Sequence, residues 1–201
     1  MKGLYLVTPD WDDTERLLAV SEQGIRGGAS LLQYRHKTAS PDLRSEQAAA
    51  LLILCRRFNV PLIINDHLEL CESIDADGIH VGGTDASVAS MRARLGVSKI
   101  VGASCYGDLQ LARDAQASGA SYVAFGGFYP SRVKKYAVTT KPDIINRALE
   151  ELKVPLCVIG GMTAENSREL IAHGAHMVAA ISSVYAANDP RLAALEFSKM
   201  F

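Results

Sequence analysis

Eight short apolar runs recur along this 201-residue chain, and a stretch with helical spacing follows each one. The runs occupy residues 4–7, 30–35, 62–64, 78–81, 99–103, 122–125, 156–159 and 177–181. The helical stretches fall at 13–23, 43–58, 68–73, 88–95, 109–117, 143–152 and 164–173, with a last one from Asp189-Pro190 to about residue 200. Parallel strands joined by helices cross over with one hand, and eight such units close on themselves. The expected fold is therefore α/β, a (β/α)8 or TIM barrel. It spans 1–201 as a single domain, because the alternation leaves no linker at which to divide the chain. A doubly wound open sheet is the alternative. It usually carries a glycine-rich turn after its first strand, and Thr8-Pro9-Asp10 stands there instead.

Local signals agree with these boundaries. Asp12-Asp13-Thr14, Ser40-Pro41-Asp42, Ser87, Asp108 and Asp189-Pro190 are helix-opening residues, and Gly27-Gly28 and Gly119 are helix-closing ones. The second run alternates, with Leu32 and Tyr34 on one side and Leu31, Gln33 and Arg35 on the other.

Formal net charge is -1, so the chain has no general attraction to nucleic acid or to an anionic membrane surface, and any anion site must be local. The run at the N-terminus is too short for a signal peptide, and no segment has the length of a membrane span. A cytoplasmic location is the expectation, with a homo-oligomer as a possible assembly. Cys55, Cys71, Cys105 and Cys157 have no metal-ligand spacing and read as small buried hydrophobes of a reducing compartment. Cys105, following a strand, is better placed than the others to line a site, with the buried structural reading still preferred for it.

The strand ends carry side chains that core packing does not require. Gln33, Arg35 and Lys37 end the second run, Asn65 and Asp66 the third, and Asp85 follows the fourth. In a barrel, ligands bind at that rim. Asp66 and Asp85 on neighbouring units suit Mg²⁺, which takes one or two protein carboxylates and fills the rest of its shell with water and phosphate oxygens. Alternatively the two are helix caps, with Asp66 capping at Leu68 and Asp85 at Val88. Arg35 and Lys37 beside such a pair suggest a diphosphate, unless Arg35 simply pairs with Asp66. Gln33 offers a donor and an acceptor suited to a heterocycle edge.

Gly160-Gly161 and Ser182-Ser183, after the seventh and eighth runs, suggest a second anion site, a monophosphate between two loops. The other reading of Gly160-Gly161 is a tight strand–helix turn. The long connection at 126–141 holds Arg132, Lys134, Lys135 and Lys141, and its length marks it as functional. No Ser–His or Cys–His pairing is forced by the sequence, so no covalent nucleophile is expected. Two phosphorylated ligands on one rim suit displacement of pyrophosphate from one by an atom of the other.

The stretches Gln33-Tyr34-Arg35-His36-Lys37, Ile64-Asn65-Asp66, Ala76-Asp77-Gly78-Ile79-His80-Val81-Gly82 with Asp85, and Ile159-Gly160-Gly161 with Ile181-Ser182 resemble the thiamine-phosphate synthase family along nearly the whole chain. The resemblance implies a (β/α)8 barrel that joins 4-amino-2-methyl-5-(diphosphooxymethyl)pyrimidine to a thiazole phosphate, giving thiamine monophosphate and pyrophosphate.

It also implies roles for particular residues. Gln33, Arg35, Lys37 and Asn65 would hold the pyrimidine diphosphate, with Tyr34 and His36 alongside. Ser104 would meet the pyrimidine substrate. Gly161, Ile181 and Ser182 would hold the thiazole phosphate. Asp66 and Asp85 would bind Mg²⁺. Arg35, Ser104 and Lys134 would be the catalytic groups. In the sixth loop, Ser131, Arg132, Val133 and Lys134 align with the family's substrate-binding stretch. Val133 stands where that stretch has Thr, His67 where the family has Arg, and Gly83 where it often has Gln. Thr139-Thr140-Lys141 is a second, later match. The same barrel also serves a thiazole tautomerase, which needs no metal–diphosphate site, and the departures at His67, Gly83 and Val133 leave room for a non-catalytic thiamine- or phosphate-binding protein.

Overall fold

The computed structural model describes residues 1–82, 87–130 and 139–201. Eight parallel strands form a closed barrel in chain order. They are β1 (Gly3–Val7), β2 (Ala29–Tyr34), β3 (Leu62–Asn65), β4 (Gly78–Val81), β5 (Ile100–Tyr106), β6 (Tyr122–Gly126), β7 (Leu156–Ile159) and β8 (Met177–Ala180). Closure is made by β1, which pairs with β2 through Val7 against Gln33 and with β8 through Tyr5 against Ala179.

The helices are α1 (Thr14–Arg26), α2 (Pro41–Phe58), α3 (Leu68–Ser73), α4 (Val88–Leu95), α5 (Leu109–Ala117), α6 (Asp143–Glu151), α7 (Ala164–Ala172), α8 (Ser182–Tyr185) and α9 (Pro190–Ser198). Most begin where a side chain can satisfy the orphan amides of the first turn. Asp13 accepts from the Arg16 amide, Ser40 from Leu43, Ser87 from Ser90, and Asp189 from Leu192. Pro41 and Pro190 sit in first turns, where a missing N–H costs nothing.

The two-residue period of each strand sorts its side chains into two cores. Leu6, Leu32, Ile64, Ile79, Val123 and Val178 face outward and pack under the helices. Tyr5, Leu31, Ile63, Tyr122, Cys157 and Met177 fill the interior. Each buried branched side chain contributes about 1.5–3 kcal/mol through removal from water. The interior is thus a packed plug at the bottom, and only its upper layer is open to ligands.

Some boundaries move from expectation. The first helix continues to Arg26, and the fifth strand runs on to Tyr106. The larger difference is α8, a single helical turn immediately after β8 where Ser182-Ser183 reads as loop. Its cause lies downstream: Val184 and Tyr185 are buried, and the Tyr185 hydroxyl lies 2.9 Å from that of Ser21 in α1. Among the described residues, no helix is long and apolar enough to cross a membrane.

Candidate active site

The alternation of β2 sends Gln33 and Arg35 into the barrel mouth, as their spacing predicts. There they meet the ends of β3, β5 and β8 around a cavity of about 300 Å³. Gln33, Arg35, Lys37, Asn65, Asp66, Ser104 and Ile181 all line it. Tyr34 does not. It faces the helices, buried, with its hydroxyl donating to Gln47 of α2 at 3.0 Å. With His36, Lys37, Asn65, Asp66 and His67 it borders a smaller adjoining cavity of about 220 Å³. Burial holds the His67 imidazole below its usual range, with Arg44 adding to the effect.

Arg35 is set by its backbone. Its amide donates to the Thr8 hydroxyl at 2.8 Å, and that hydroxyl donates to the Arg35 carbonyl at 2.9 Å. Its guanidinium lies beside Asp10, at 3.4 Å, and not beside Asp66. The structural pairing weighed for Arg35 therefore takes a different partner. The reason is that Asp10, at the end of β1, also receives the Lys37 amide at 2.9 Å and so belongs to the same turn. His36 is buried, with Nε2 at 2.9 Å from Asp12.

Asp66 stands in the left-handed region at φ 61, a conformation that short polar side chains tolerate. One carboxylate oxygen accepts from the Asn65 amide at 2.7 Å, the other from the Gly82 backbone N–H at 3.2 Å. It does not cap α3, whose N-cap is His67 with no side-chain cap bond. Its carboxylate is exposed at the rim, with the Asn65 carboxamide next to it.

This hard oxygen donor set fits a divalent cation that draws most of its shell from water and phosphate. Among the described residues, no cluster of three or more His, Cys, Asp or Glu forms a complete cage. Asp85, the second expected carboxylate, lies outside the described residues, as do Gly83, Ser131, Arg132, Val133 and Lys134.

Across the mouth, Gly160 and Gly161 have φ 107 and 66. A Cβ on Gly161 would sit 2.3 Å from the Pro130 carbonyl oxygen, so the β7–α7 turn admits only glycine there. Ile159 and Ile181 form this wall of the cavity. Ser182 opens α8 and is exposed, whereas the Ser183 hydroxyl is buried without a partner among the described residues. In the later match, Thr140 is buried and its hydroxyl donates to the Gly126 carbonyl at 2.6 Å. That threonine closes the sixth loop onto its strand.

Three interior groups escaped the sequence analysis. Gln33 Nε2 donates to the Tyr5 hydroxyl at 2.7 Å, which lies 2.8 Å from the Tyr122 hydroxyl. Tyr122 in turn lies 2.8 Å from His80 Nδ1, and His80 Nε2 lies 2.9 Å from Ser104 Oγ. A Ser–His contact is therefore present, although none was expected. His80 is backed by a phenol and not by the carboxylate of a hydrolytic triad. Burial raises both the Tyr5 and the Tyr122 phenols far above the usual tyrosine range, so neither ionises.

The signal for these residues was available. Tyr5 shares parity with Val7, His80 with Gly82, and Tyr122 with Ala124, all on the inward face. All four cysteines are buried, as read, and parity separates two of them. Cys157 faces the cavity, whereas Cys105 packs outward, with burial pushing its thiol up to about 12. Ser104 takes the inward place on β5.

Fold and rim together define a (β/α)8-barrel enzyme with cationic, carboxamide and carboxylate groups converging on one mouth. A family model described as thiamine monophosphate synthase matches residues 4–184. A thiamine-phosphate synthase of Janthinobacterium sp. (strain Marseille) is 64% identical over 201 residues, covering 100% of this chain and 97% of its own. Another from Methylobacillus flagellatus is 47% identical, covering 100% and 96%. Among solved structures, a thiamine phosphate pyrophosphorylase from Pyrococcus furiosus superposes with TM-score 0.86 at 28% identity, over 98% of this chain and 94% of that one. A 3-hexulose-6-phosphate synthase, at 18% identity and TM-score 0.73, shares the fold. The chain belongs to the thiamine monophosphate synthase family, and it is a transferase of thiamine biosynthesis.

Proposed function

We propose that this barrel joins 4-amino-2-methyl-5-(diphosphooxymethyl)pyrimidine to a thiazole phosphate, releasing pyrophosphate and leaving thiamine monophosphate, with 1–201 acting as one catalytic domain in the cytoplasm. The observation that carries the reading is the meeting of two chemistries in one cavity. Arg35, Lys37, Asn65 and Asp66 crowd the rim, while Gln33 and Ser104 present neutral hydrogen-bonding groups below them.

In this reading the pyrimidine ring enters against Gln33 and Ser104, and its diphosphate lies up against Arg35, Lys37 and Asn65. Asp66 and Asp85 would hold Mg²⁺, which supplies charge neutralisation to the departing pyrophosphate. Gly161, Ile181 and Ser182 take the thiazole phosphate on the opposite wall. Ser131, Arg132, Val133 and Lys134 would contact the substrates as well.

The C–O bond to the diphosphate breaks as its charge passes to Arg35 and Lys134, and the aminopyrimidine spreads the positive charge left on the methylene. The thiazole nitrogen then attacks that carbon. The protein's own contribution is to hold both partners in line and to place fixed positive charge where negative charge develops. The tautomerase alternative needs no diphosphate, and the Asp66 carboxylate, held by Asn65 and Gly82 away from any capping role, favours the synthase.

Incubation with both phosphorylated substrates and Mg²⁺ is expected to release one pyrophosphate per thiamine monophosphate formed. Binding of both ligands without pyrophosphate release would sink the reading.

A further inference from the structure

The five groups that cross the barrel interior form one directional chain. At its head, an amide nitrogen can only donate, and Gln33 Nε2 donates to the Tyr5 oxygen. The single hydroxyl hydrogen of Tyr5 then has Tyr122 as its acceptor, and that of Tyr122 has His80 Nδ1. If Tyr122 donated back to Tyr5 instead, the Tyr5 hydrogen would be buried without an acceptor, at full desolvation cost. With Nδ1 accepting, the neutral imidazole carries its proton on Nε2 and donates it to Ser104 Oγ. The Ser104 hydroxyl hydrogen is then left for the cavity, and so is the carbonyl oxygen of Gln33.

We infer that Tyr5, Tyr122 and His80 are positioning residues that hold the Gln33 carbonyl as an acceptor and the Ser104 hydroxyl hydrogen as a donor toward the cavity floor. That pattern matches an exocyclic amino group beside a ring nitrogen. A 4-oxo pyrimidine presents the reverse, a carbonyl acceptor beside a ring N–H, and the chain rejects it. The inference rests on the proposed reading that a pyrimidine meets these two residues.

The packing supports a built device. Tyr122 is fully buried and stacks on His80 with ring centroids 5.6 Å apart. It meets Tyr5 edge to face at 5.8 Å. Its ring occupies space that Gly102 leaves open, since a Cβ there would lie 2.1 Å from Tyr122 Cζ. Tyr122 itself is not among the residues that line the cavity, so its hydroxyl acts only through its neighbours.

The test compares the 4-amino pyrimidine diphosphate with its 4-oxo counterpart by calorimetric titration in Mg²⁺, alongside turnover with the thiazole phosphate. Wild type is expected to prefer the amino ligand by at least about 100-fold, as a site with oppositely directed polar groups does. Tyr122→Phe and Tyr5→Phe keep ring packing and remove one link each. Each should lower that preference at least tenfold, mainly through tighter binding of the 4-oxo ligand, with KM for the thiazole phosphate unchanged. The double variant should lose no more than either single one, because a chain is interrupted once.

Equal weakening of both ligands, or an undiminished preference in both single variants, overturns the inference while leaving the synthase reading standing. A wild type that binds neither pyrimidine and releases no pyrophosphate overturns both.

Discussion

Asp66 combines charge and backbone geometry in one residue, and the two can be separated. At φ 61 most side chains are strained, but Asn adopts this conformation nearly as readily as Asp. Asp66→Asn is therefore expected to keep the turn while giving up one of the two hydrogen bonds its carboxylate accepts, lowering the melting temperature by about 2–4 °C. Its kcat/KM should fall at least about 100-fold, together with the dependence of turnover on Mg²⁺, if the carboxylate meets the cation. Near-normal turnover in Asp66→Asn would show the carboxylate to be no more than the partner of Asn65 and Gly82.

At this scale the sequence announces itself unevenly. Gln33, Arg35, Asn65 and Asp66 stand out because a polar residue ending an apolar run has no packing role. Tyr5, His80 and Tyr122 do not, because each sits inside such a run and passes for core. Tyrosine and histidine are amphipathic enough to satisfy the hydrophobic pattern while carrying the polar groups that matter. Only the partner across the barrel, 117 residues away in the case of Tyr5 and Tyr122, reveals what the hydroxyl is for.

Among the elements, the β7–α7 turn and α8 form the wall opposite Asn65 and Asp66. Gly161→Ala would place a methyl 2.3 Å from the Pro130 carbonyl and hold an alanine at φ 66. The left-handed backbone alone costs about 1–2 kcal/mol, and the clash pushes the turn away from Pro130. A lowered melting temperature is expected, with KM for the thiazole phosphate raised about tenfold, the scale of one lost charged hydrogen bond. KM for the pyrimidine diphosphate should move far less, and an equal rise in both would detach Gly161 from the thiazole side. The glycines here were legible because paired glycines after a strand have few other uses. The helical turn of α8 was not, because serine suits loop and helix start alike. What decides between them is the burial of Val184 and Tyr185, a tertiary effect.

For the whole molecule, a histidine reinforces the seam where the barrel closes, at its lower end. His176 precedes β8, and its Nδ1 accepts the Leu156 amide at 3.1 Å. Its carbonyl accepts the Gly3 amide at 3.0 Å, and its own amide donates to the Leu156 carbonyl at 2.9 Å. It thus ties β7 and β1 at the seam. Burial lowers the affinity of this imidazole for a proton, and the nearby amino terminus and Lys2 add to the effect.

The unfolded chain therefore binds the proton more readily than the fold does. The contribution of His176 is complete above pH about 6.5 and declines as pH falls below it. Thermal melts at pH 7 and pH 5 should show a larger loss for wild type than for His176→Asn, whose side-chain carbonyl can accept the same N–H without titrating. Identical losses would place the acid sensitivity elsewhere, His67 being the next candidate.

The file of polar groups across the interior has a consequence for anyone who reshapes this cavity. Gln33 on β2 and Ser104 on β5 stand on different sides of the cylinder, yet they share one circuit through β1, β6 and β4. Replacing either end alone leaves three buried partners committed to a polarity that no longer has a recipient. New ring specificity would then come from recoding all five positions together, much as a zipper cannot be re-threaded one tooth at a time.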